Sequence, residues 1–558
     1  MGVDLTGPVA AVTRRDALRF VTAGLMANVL SGCRHDWPPA AACDLPYPII
    51  DVHCHFFNAA DVPVDGLVRY LALREGAPDK KTSKLVIGLA VVLVVALAEV
   101  APEAKDELAV LLKRARPLSD AELALRRDEQ LHKAMRALIA LANGERTASE
   151  FVPRSRADQS DFEVLLGELA DQANLPRNFQ KGVGGVSDED VAAIVKAAKS
   201  HDIIGVYVRF VQLMQDYRKD LAESYLRIYG SRCSALSLIT PSILDFEKWI
   251  GGKVSPQHDQ INVMHEIQQV VAREHGIRMH SFVSFDPRRE ARDPGSSLKN
   301  VEDAIMCKGF IGVKLYPPMG FKAIGNETER GIDTALRRLY DWCCQHDVPI
   351  MAHAENSLGA RCGNGSLASP QHWRELLKCE RYTNLRINLA HFGGFDEELR
   401  EGEWTGVVVN CKKDKFSGPP SWEQIIGETI HDDHRLNLYA DLSYLSELVS
   451  TTNADLHYEI RKRLNAWIQT YDTDARHLMF GTDWSMMSRE RNYNNYVPRM
   501  VDGLAKADIS DGLRQNIFWR NASRFLGLDR PGPTRDRIAA YCVKHELGVD
   551  WLADLAMT

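Results

Sequence analysis

Four segments in the second half of the chain share one construction: a short apolar run bearing, near its end, a residue that no hydrophobic core would select. Phe310-Ile-Gly-Val-Lys-Leu-Tyr316 carries Lys314 and Val348-Pro-Ile-Met-Ala-His-Ala354 carries His353. Leu385-Arg-Ile-Asn-Leu-Ala-His-Phe392 carries His391, and His477-Leu-Met-Phe-Gly-Thr-Asp-Trp484 carries Asp483. Runs of this kind, separated by stretches of helical periodicity such as Thr334 to Trp342, read as repeated βα units with a parallel sheet. Repeated this often they predict an α/β fold, a (β/α)8 TIM barrel, in which chemistry collects at the carboxyl ends of the strands. All four unusual residues fall at that end.

A fifth run, Ile49-Ile-Asp-Val-His-Cys-His-Phe-Phe57, brings two imidazoles to one face. Strand side chains alternate, so His53 and His55 point the same way, with α-carbons about 6.6 Å apart at a rise of roughly 3.3 Å per residue. That is close enough for both rings to reach one ion, while Cys54 faces the other way. Either histidine alone reads sooner as a satisfied buried imidazole than as a ligand; the ordered set reverses that preference.

Together these pieces resemble the metal-dependent amidohydrolase superfamily, in its amidohydrolase-related (amidohydrolase 2) branch of TIM-barrel hydrolases and decarboxylases. The matching motifs are Asp51-Val-His-Cys-His55, Gly312-Val-Lys-Leu-Tyr-Pro-Pro318, His353, Leu389-Ala-His-Phe-Gly-Gly394, Gly481-Thr-Asp-Trp484 and Asn521-Ala-Ser-Arg-Phe-Leu-Gly527, from about residue 48 to about 530. The resemblance implies that His53, His55, His353 and Asp483 hold a divalent metal and that His391 binds a second ion or acts in catalysis. It also implies that Lys314, if carboxylated, bridges two metals. The alternative, which we prefer, is a strand-end lysine paired with a carboxylate such as Asp483 or with the substrate.

The chemistry asks for the same residue types. A catalytic zinc-like site uses about three nitrogen and oxygen ligands and lowers the pKa of its water to about 7. The expected cofactor is therefore a divalent metal, Zn2+ by preference, as one ion or two. A nearby side chain must move the proton to the leaving group; His391 is the first choice and Asp483 the second. The segment Met279-His-Ser-Phe-Val-Ser-Phe-Asp-Pro-Arg-Arg289 reads as a further strand ending in two arginines, of which Arg288 or Arg289 could grip a substrate carboxylate in a bidentate fork. The bland reading is a solvated charge pair with Asp286 or Glu290. His280, Tyr316 and Trp484 lie near expected strand ends, Tyr316 as a substrate contact, and Asp441 is placed to support a ligand from behind. The expected activity is hydrolysis of an amide, ester or lactone of a small molecule. Non-oxidative decarboxylation of a carboxylated aromatic or cyclic substrate, and a non-catalytic surface lipoprotein acting as a binding module, are the alternatives.

At the amino terminus, Thr13-Arg-Arg-Asp-Ala-Leu-Arg-Phe20 precedes an apolar stretch ending in Leu30-Ser-Gly-Cys33. These are the parts of an export signal, resembling a lipoprotein signal with a twin-arginine start, in which Cys33 is lipidated. The expected location is the periplasmic side of a bacterial envelope, lipid-anchored; a misread start would leave the chain cytoplasmic. Expected boundaries are 1–33 signal, 34–47 linker, 48–530 barrel with a helical insertion at about 60–230, and 531–558 a helical tail. Inside the insertion, the apolar run Leu85 to Ala98 spans roughly 21 Å as a helix, short of a bilayer crossing. It reads as a buried helix, or else as one that faces a membrane or a second copy in a homodimer. Residues Glu103 to Asn143 read as an amphipathic helix pair. A net charge of −7 gives no reason to expect nucleic acid, and eleven cysteines are too sparse for a disulfide scaffold.

Overall fold

The computed structural model describes residues 45–62, 101–113, 119–143, 163, 166–167, 169–176, 179, 186–200, 204–231, 233–250, 254–327, 329–355, 360, 363–395, 420–445, 454–490 and 493–556. The export segment with Cys33, most of the linker and the run Leu85 to Ala98 lie outside the described residues.

Strand β1 (Ile49–Cys54) is buried along all six residues, as an apolar run covered on both faces must be. Its one acid, Asp51, is held by four donors: the amides of His53 (3.1 Å) and Thr482 (3.0 Å), the Thr482 hydroxyl (2.6 Å) and the Tyr225 hydroxyl (2.7 Å). Burial still pushes its pKa up to about 7. Parallel pairing joins β1 to β2 (Leu236–Pro241) and β2 to β3 (Arg278–Met279).

A second parallel sheet runs in sequence order through β4 (Phe282–Ser284), β5 (Gly312–Leu315), β6 (Ile350–His353), β7 (Ile387–Ala390), β8 (Leu438–Asp441) and β9 (Leu478–Met479). β3 and β4 are one stave broken at His280-Ser281, so eight staves follow one another in chain order. The two sheets meet at isolated parallel bridges, Cys54 with Trp484 and Ser242 with Phe282, rather than through a continuous ladder. This is the (β/α)8 arrangement expected, with its seams loosely made. The last stave is shorter than its sequence suggests. After Met479 the chain leaves the ladder: Phe480 N donates to Ile517 O, and the amides of Thr482 and Asp483 both donate to His53 O, at 3.1 and 2.7 Å.

Between β1 and β2 the described elements are helical: α1 (Ala104–Leu112), α2 (Asp120–Ala142), α3 (Asp188–Ser200), α4 (Ile204–Leu213) and α5 (Arg218–Tyr225). α1 and α2 are the pair expected over 103–143. α5 is buried at every position, and Arg218 explains how a charged helix tolerates this. Its guanidinium bonds Asp61 (2.8 Å) and Glu107 (2.7 Å), tying the insertion to the chain just beyond β1. α4 reaches the loop after β9, where Arg209 donates to Ser488 O at 2.9 Å and lies over the Tyr493 ring.

Among the crossover helices, α6 (Gln257–His275) follows β2 and α7 (Pro287–Arg292) follows β4. α8 (Ile332–His346) buries Ile332, Ala335, Leu336, Leu339, Tyr340 and Cys343, the stripe read from its sequence. α9 (Trp422–His431) lies between β7 and β8, and α10 (Ala454–Tyr471) between β8 and β9. α11 (Asn521–Leu526) anchors the barrel end through Asn521, whose amide donates to Ala475 O and Leu478 O, both at 2.7 Å.

The tail forms α12 (Pro533–Lys544) and a short turn of helix at Trp551–Asp554. It closes over His280, whose Nδ1 donates to Gly309 O at 2.8 Å and whose ring stacks on Trp551 at 5.7 Å. His280 is therefore a packing residue where the stave breaks, not a residue of the strand ends. Cys233 is disulfide-bonded, while Cys343 and Cys344 are both free.

Candidate active site

The carboxyl ends of β1, β5, β6, β7, β8 and the chain after β9 bring together one continuous set of buried polar groups. His53 and His55 both turn Nε2 toward Asp483, at 3.7 and 3.4 Å from Oδ1. Their other ring nitrogens are occupied: His55 Nδ1 lies 3.0 Å from Ser242 O, and His53 Nδ1 lies 2.9 Å from Ser443 Oγ and 3.3 Å from Asp441. A carbonyl or carboxylate behind Nδ1 orients a ring and leaves its Nε2 lone pair for a metal. His53, His55 and Asp483 offer three ligand atoms within 4.8 Å of one another, so the donors present fit a divalent ion of the zinc type.

His353 stands apart from that trio. Its ligand atom groups with those of Glu355 and His391, and its Nδ1 lies 3.1 Å from His391 Nε2. His391 links the two halves: its ring centroid is 4.8 Å from that of His53 and 4.7 Å from that of His353. The expected four-residue shell is thus divided into two neighbouring groups. Lys314 lies within electrostatic reach of Asp441 and Asp483. Its Nζ lies 3.0 Å from His53 Nε2 and 3.3 Å from Met351 Sδ, at the edge of the trio.

Asp441 holds this arrangement from behind. It accepts from Asn388 Nδ2 (2.7 Å), His391 N (3.1 Å) and Ser443 N (3.1 Å) while facing His53. Burial alone would raise its carboxyl; the His53 and His391 rings and Ser443 hold it far below the ordinary range. For Asp483, burial is likewise outweighed, by the His55 hydrogen bond and the neighbouring rings, and its pKa falls to about 2. Burial and the Lys314 charge lower His53 to about 3, against the pull of Asp441, and burial lowers Lys314 to about 8. His53 is therefore neutral at pH 7, the form in which an imidazole can bind a metal.

Backbone geometry marks the same residues. His391 and Asp483 both have positive φ, 66° and 53°, a conformation that costs about 1–3 kcal/mol per residue and persists where surrounding contacts enforce it. Gly481 permits the approach, since a Cβ there would lie 2.9 Å from His53 Cβ and 3.1 Å from Ser443 Cβ.

Beside Lys314 lies a small hollow of about 10 Å³, room for about one water, lined by Phe246, Trp249, Phe285, Tyr316 and Phe321 together with Asp245 and Ser284. Tyr316, the expected substrate contact, stacks on His353 with ring centroids 4.4 Å apart. Arg288 is a correction. It lies in the first turn of α7, not at a strand end, because Asp286 caps the Arg288 amide at 2.9 Å and Pro287 starts the helix. Its guanidinium is committed to Glu329 (2.8 Å) and Lys248 O (3.1 Å) and lies over the Trp249 ring, so it stands behind the wall of that hollow. Arg289 pairs with Asp245 and Glu247, not with Asp286 or Glu290. Trp484 is fully buried between Tyr225 and Tyr229 and is packing.

Ser443, Asn388 and Glu355 are site residues that the sequence reading passed over. Asn388 left a signal, an amide in the middle of the buried strand Ile387–Ala390. Ser443 and Glu355 left none beyond their place just after a strand.

Residues 271–528 match the family described as Amidohydrolase. The match begins after β1, so His53 and His55 join the site through the structure. No curated protein sequence matches the chain. Similar solved structures include an amidohydrolase from Burkholderia multivorans (15% identity, 59% of this chain and 92% of that one, TM-score 0.37). A 2,6-dihydroxybenzoate decarboxylase from Rhizobium is 16% identical over 56% of this chain and 93% of that one, with TM-score 0.36. A protein described as a putative 2-pyrone-4,6-dicarboxylic acid hydrolase from Pseudomonas putida is 15% identical over 55% and 88%, with TM-score 0.33.

Proposed function

We propose that this chain, an amidohydrolase-family protein across residues 271–528, is a metal-dependent hydrolase of an amide, ester or lactone in a small molecule. The observation that carries the reading is the trio His53, His55 and Asp483, two imidazoles braced at Nδ1 with their Nε2 atoms turned to one carboxylate. A divalent ion held there would supply Lewis-acid polarisation and a water of pKa about 7. His353, with Glu355 and His391, would complete the ligand set or hold a second ion.

The chain's own residues supply the rest. Asp483 is placed to accept a proton from the attacking water, and His391, between the two groups, to pass one to the leaving group. Tyr316 and the aromatic walls would orient a flat or cyclic substrate, and the insertion, fastened by Arg218, would limit access. The test is metal analysis of the purified protein, followed by assays on ester, lactone, amide and carboxylated aromatic panels with wild type and Asp483→Asn. Metal-dependent turnover abolished by the substitution supports the reading. Unchanged metal content with no turnover in either form would leave a binding module instead.

A second reading has its own observation. Lys314, a buried cation beside Phe285, Tyr316 and Phe321, suits the carboxylate of an aromatic acid, and on this scaffold such a substrate would lose carbon dioxide. Release of carbon dioxide from a hydroxybenzoate would decide for it. Export with lipidation at Cys33 remains part of the proposal, supported by the amino-terminal pattern and by the disulfide at Cys233, a bond that belongs to oxidising compartments. Fatty-acid labelling lost in Cys33→Ala tests it.

A further inference from the structure

Arginines collect at the amino ends of the staves, on the face opposite the candidate site. Arg386 stands just before β7 and Arg476 just before β9, Arg520 precedes α11, Arg524 lies on α11 one turn later, Arg530 follows it, and Arg537 belongs to α12. Three of these guanidiniums are spent on the fold. Arg386 donates to Asp347 O at 2.8 Å and to Arg524 O at 3.4 Å and pairs with the Asp347 carboxylate at 3.0 Å. Arg537 donates to His346 O at 2.6 Å and Thr534 Oγ1 at 3.0 Å, and Arg524 to Asn521 Oδ1 at 2.6 Å. All but one of these acceptors are neutral, so most of the charge stays unbalanced. The other three face outward without such partners. Arg476, Arg520 and Arg530 make no side-chain hydrogen bond or ion pair among the described residues; Arg476 and Arg530 are exposed, and Arg520 rests over the Trp519 ring at 5.2 Å. The acids close by do little to offset them. Asp472 is turned inward to the amides of Arg476 and His477, at 2.8 and 2.9 Å, Asp529 acts on Arg386 and Arg524, and Asp474 is exposed beside them. Like charges four residues apart weaken a helix, yet Arg520 and Arg524 stand that way. Burial and the charges of Arg476 and Arg520 lower the Arg524 pKa, with Asp529 opposing.

We propose that this face is a docking surface for a bilayer that carries anionic phospholipid headgroups. The N–H fork of a guanidinium matches the oxygens of a phosphate, and each basic residue held near an anionic lipid surface adds to the attraction. The array is spread rather than cupped. Arg386 and Arg476 start from staves two apart, roughly 10 Å at the usual strand spacing, and Arg520 and Arg530 flank α11, which serves a plane of phosphates better than a single ion. In a chain whose net charge is −7, a face of this sign is not a product of overall composition. The point where the chain enters the fold favours a membrane over a nucleic acid. Leu45, the first described residue, leads into β1 from this same end, and the Tyr47 ring meets that of Phe518, close before Arg520, at 6.4 Å. A short linker separates Leu45 from Cys33 in the sequence. A lipid on Cys33 would therefore tether the domain by the end that carries the arginines, with the candidate site at the other. The choice of a membrane rests on the lipidation proposed above; the positive surface itself does not.

The test uses the full chain as Cys33→Ala, so that no acyl chain contributes, sedimented with vesicles of phosphatidylcholine alone or mixed with phosphatidylglycerol. The expected result is tighter binding to the mixed vesicles, weakening as salt rises. Arg476→Gln combined with Arg520→Gln and Arg530→Gln should weaken it by about tenfold or more. These side chains have no partners to lose, so the fold should stand, as circular dichroism would show. Removing as many charges from segments that follow strand ends, through Lys105→Gln, Arg292→Gln and Lys322→Gln, should change binding little. Equal binding to both kinds of vesicle would overturn the proposal. So would equal losses in the two triple variants, since net charge rather than this face would then govern, or a single-stranded RNA bound more tightly than the vesicles. Selective binding that depends on the three arginines, in a protein whose Cys33 takes up no fatty acid, would defeat the anchor and uphold the surface.

Discussion

Lys314 Nζ lies 3.0 Å from His53 Nε2, the imidazole nitrogen that also faces Asp483. One atom is thus shared between a buried cation and the metal site proposed around it. An ammonium this close opposes a divalent ion, since like charges a few ångströms apart repel by several kcal/mol even at an effective dielectric of about 20. Lys314→Met should therefore bind zinc about tenfold or more tightly, read by competition with a chromogenic chelator. If affinity falls instead, Lys314 helps to hold the ion, as a carboxylated lysine would.

Asp441 makes no contact with Asp483 among the described hydrogen bonds, yet it braces His53, Asn388, His391 and Ser443 at once. Removal of a carboxylate behind a ligating histidine costs roughly 10–100-fold in metal affinity. Asp441→Asn should lose zinc in that range while folding normally by circular dichroism. An unchanged affinity would mean that the His55 and Asp483 pair governs binding without His53.

The sequence made the strand ends legible because each carried a residue that costs free energy in a core: Lys314, His353, His391 and Asp483 could be singled out one run at a time. It could not say how those ends converge. That His353 stands with Glu355 and His391 rather than with His53 and His55 depends on how the staves stagger, which a parallel ladder records in three dimensions only. Arg288 was misplaced for a different reason. Asp286-Pro287 is a helix-start signal, and reading the run as strand through to Arg289 let apolar content override it. The tie that holds the insertion together was beyond reach, since Arg218 finds Asp61 157 positions away and Glu107 111 away.

That junction gives a prediction about stability. Arg218 and its partners Asp61 and Glu107 are almost wholly excluded from solvent. Removing the cation from such a group leaves two buried carboxylates without a counter-charge, a loss of about 3–5 kcal/mol. Arg218→Met should lower the urea midpoint accordingly, and Arg218→Met with Asp61→Asn and Glu107→Gln should recover part of the loss. A single variant as stable as wild type would mean that the insertion does not depend on this contact.

His280 supplies a pH dependence away from the candidate metal site. Burial lowers its pKa from 6.5 to about 4, the Gly309 carbonyl opposing and Arg278 adding to the shift. Above pH 6.5 the ring is neutral both folded and unfolded, and its titration contributes nothing to the balance. As pH falls through 6.5 the unfolded chain takes up a proton that the folded chain refuses until about pH 4, so stability is lost across that window. The loss from this group amounts to about 3 kcal/mol by pH 4, at 1.36 kcal/mol per unit. The tail should feel it first, because His280 is covered by Trp551 and Tyr541. Melting temperatures of wild type and His280→Gln from pH 7 to pH 4.5 check this. The variant should start lower, having lost a well-packed ring, but decline less steeply. Parallel curves would show that other groups, such as the buried carboxylates, set the acid response and that His280 is neutral or charged alike in both states.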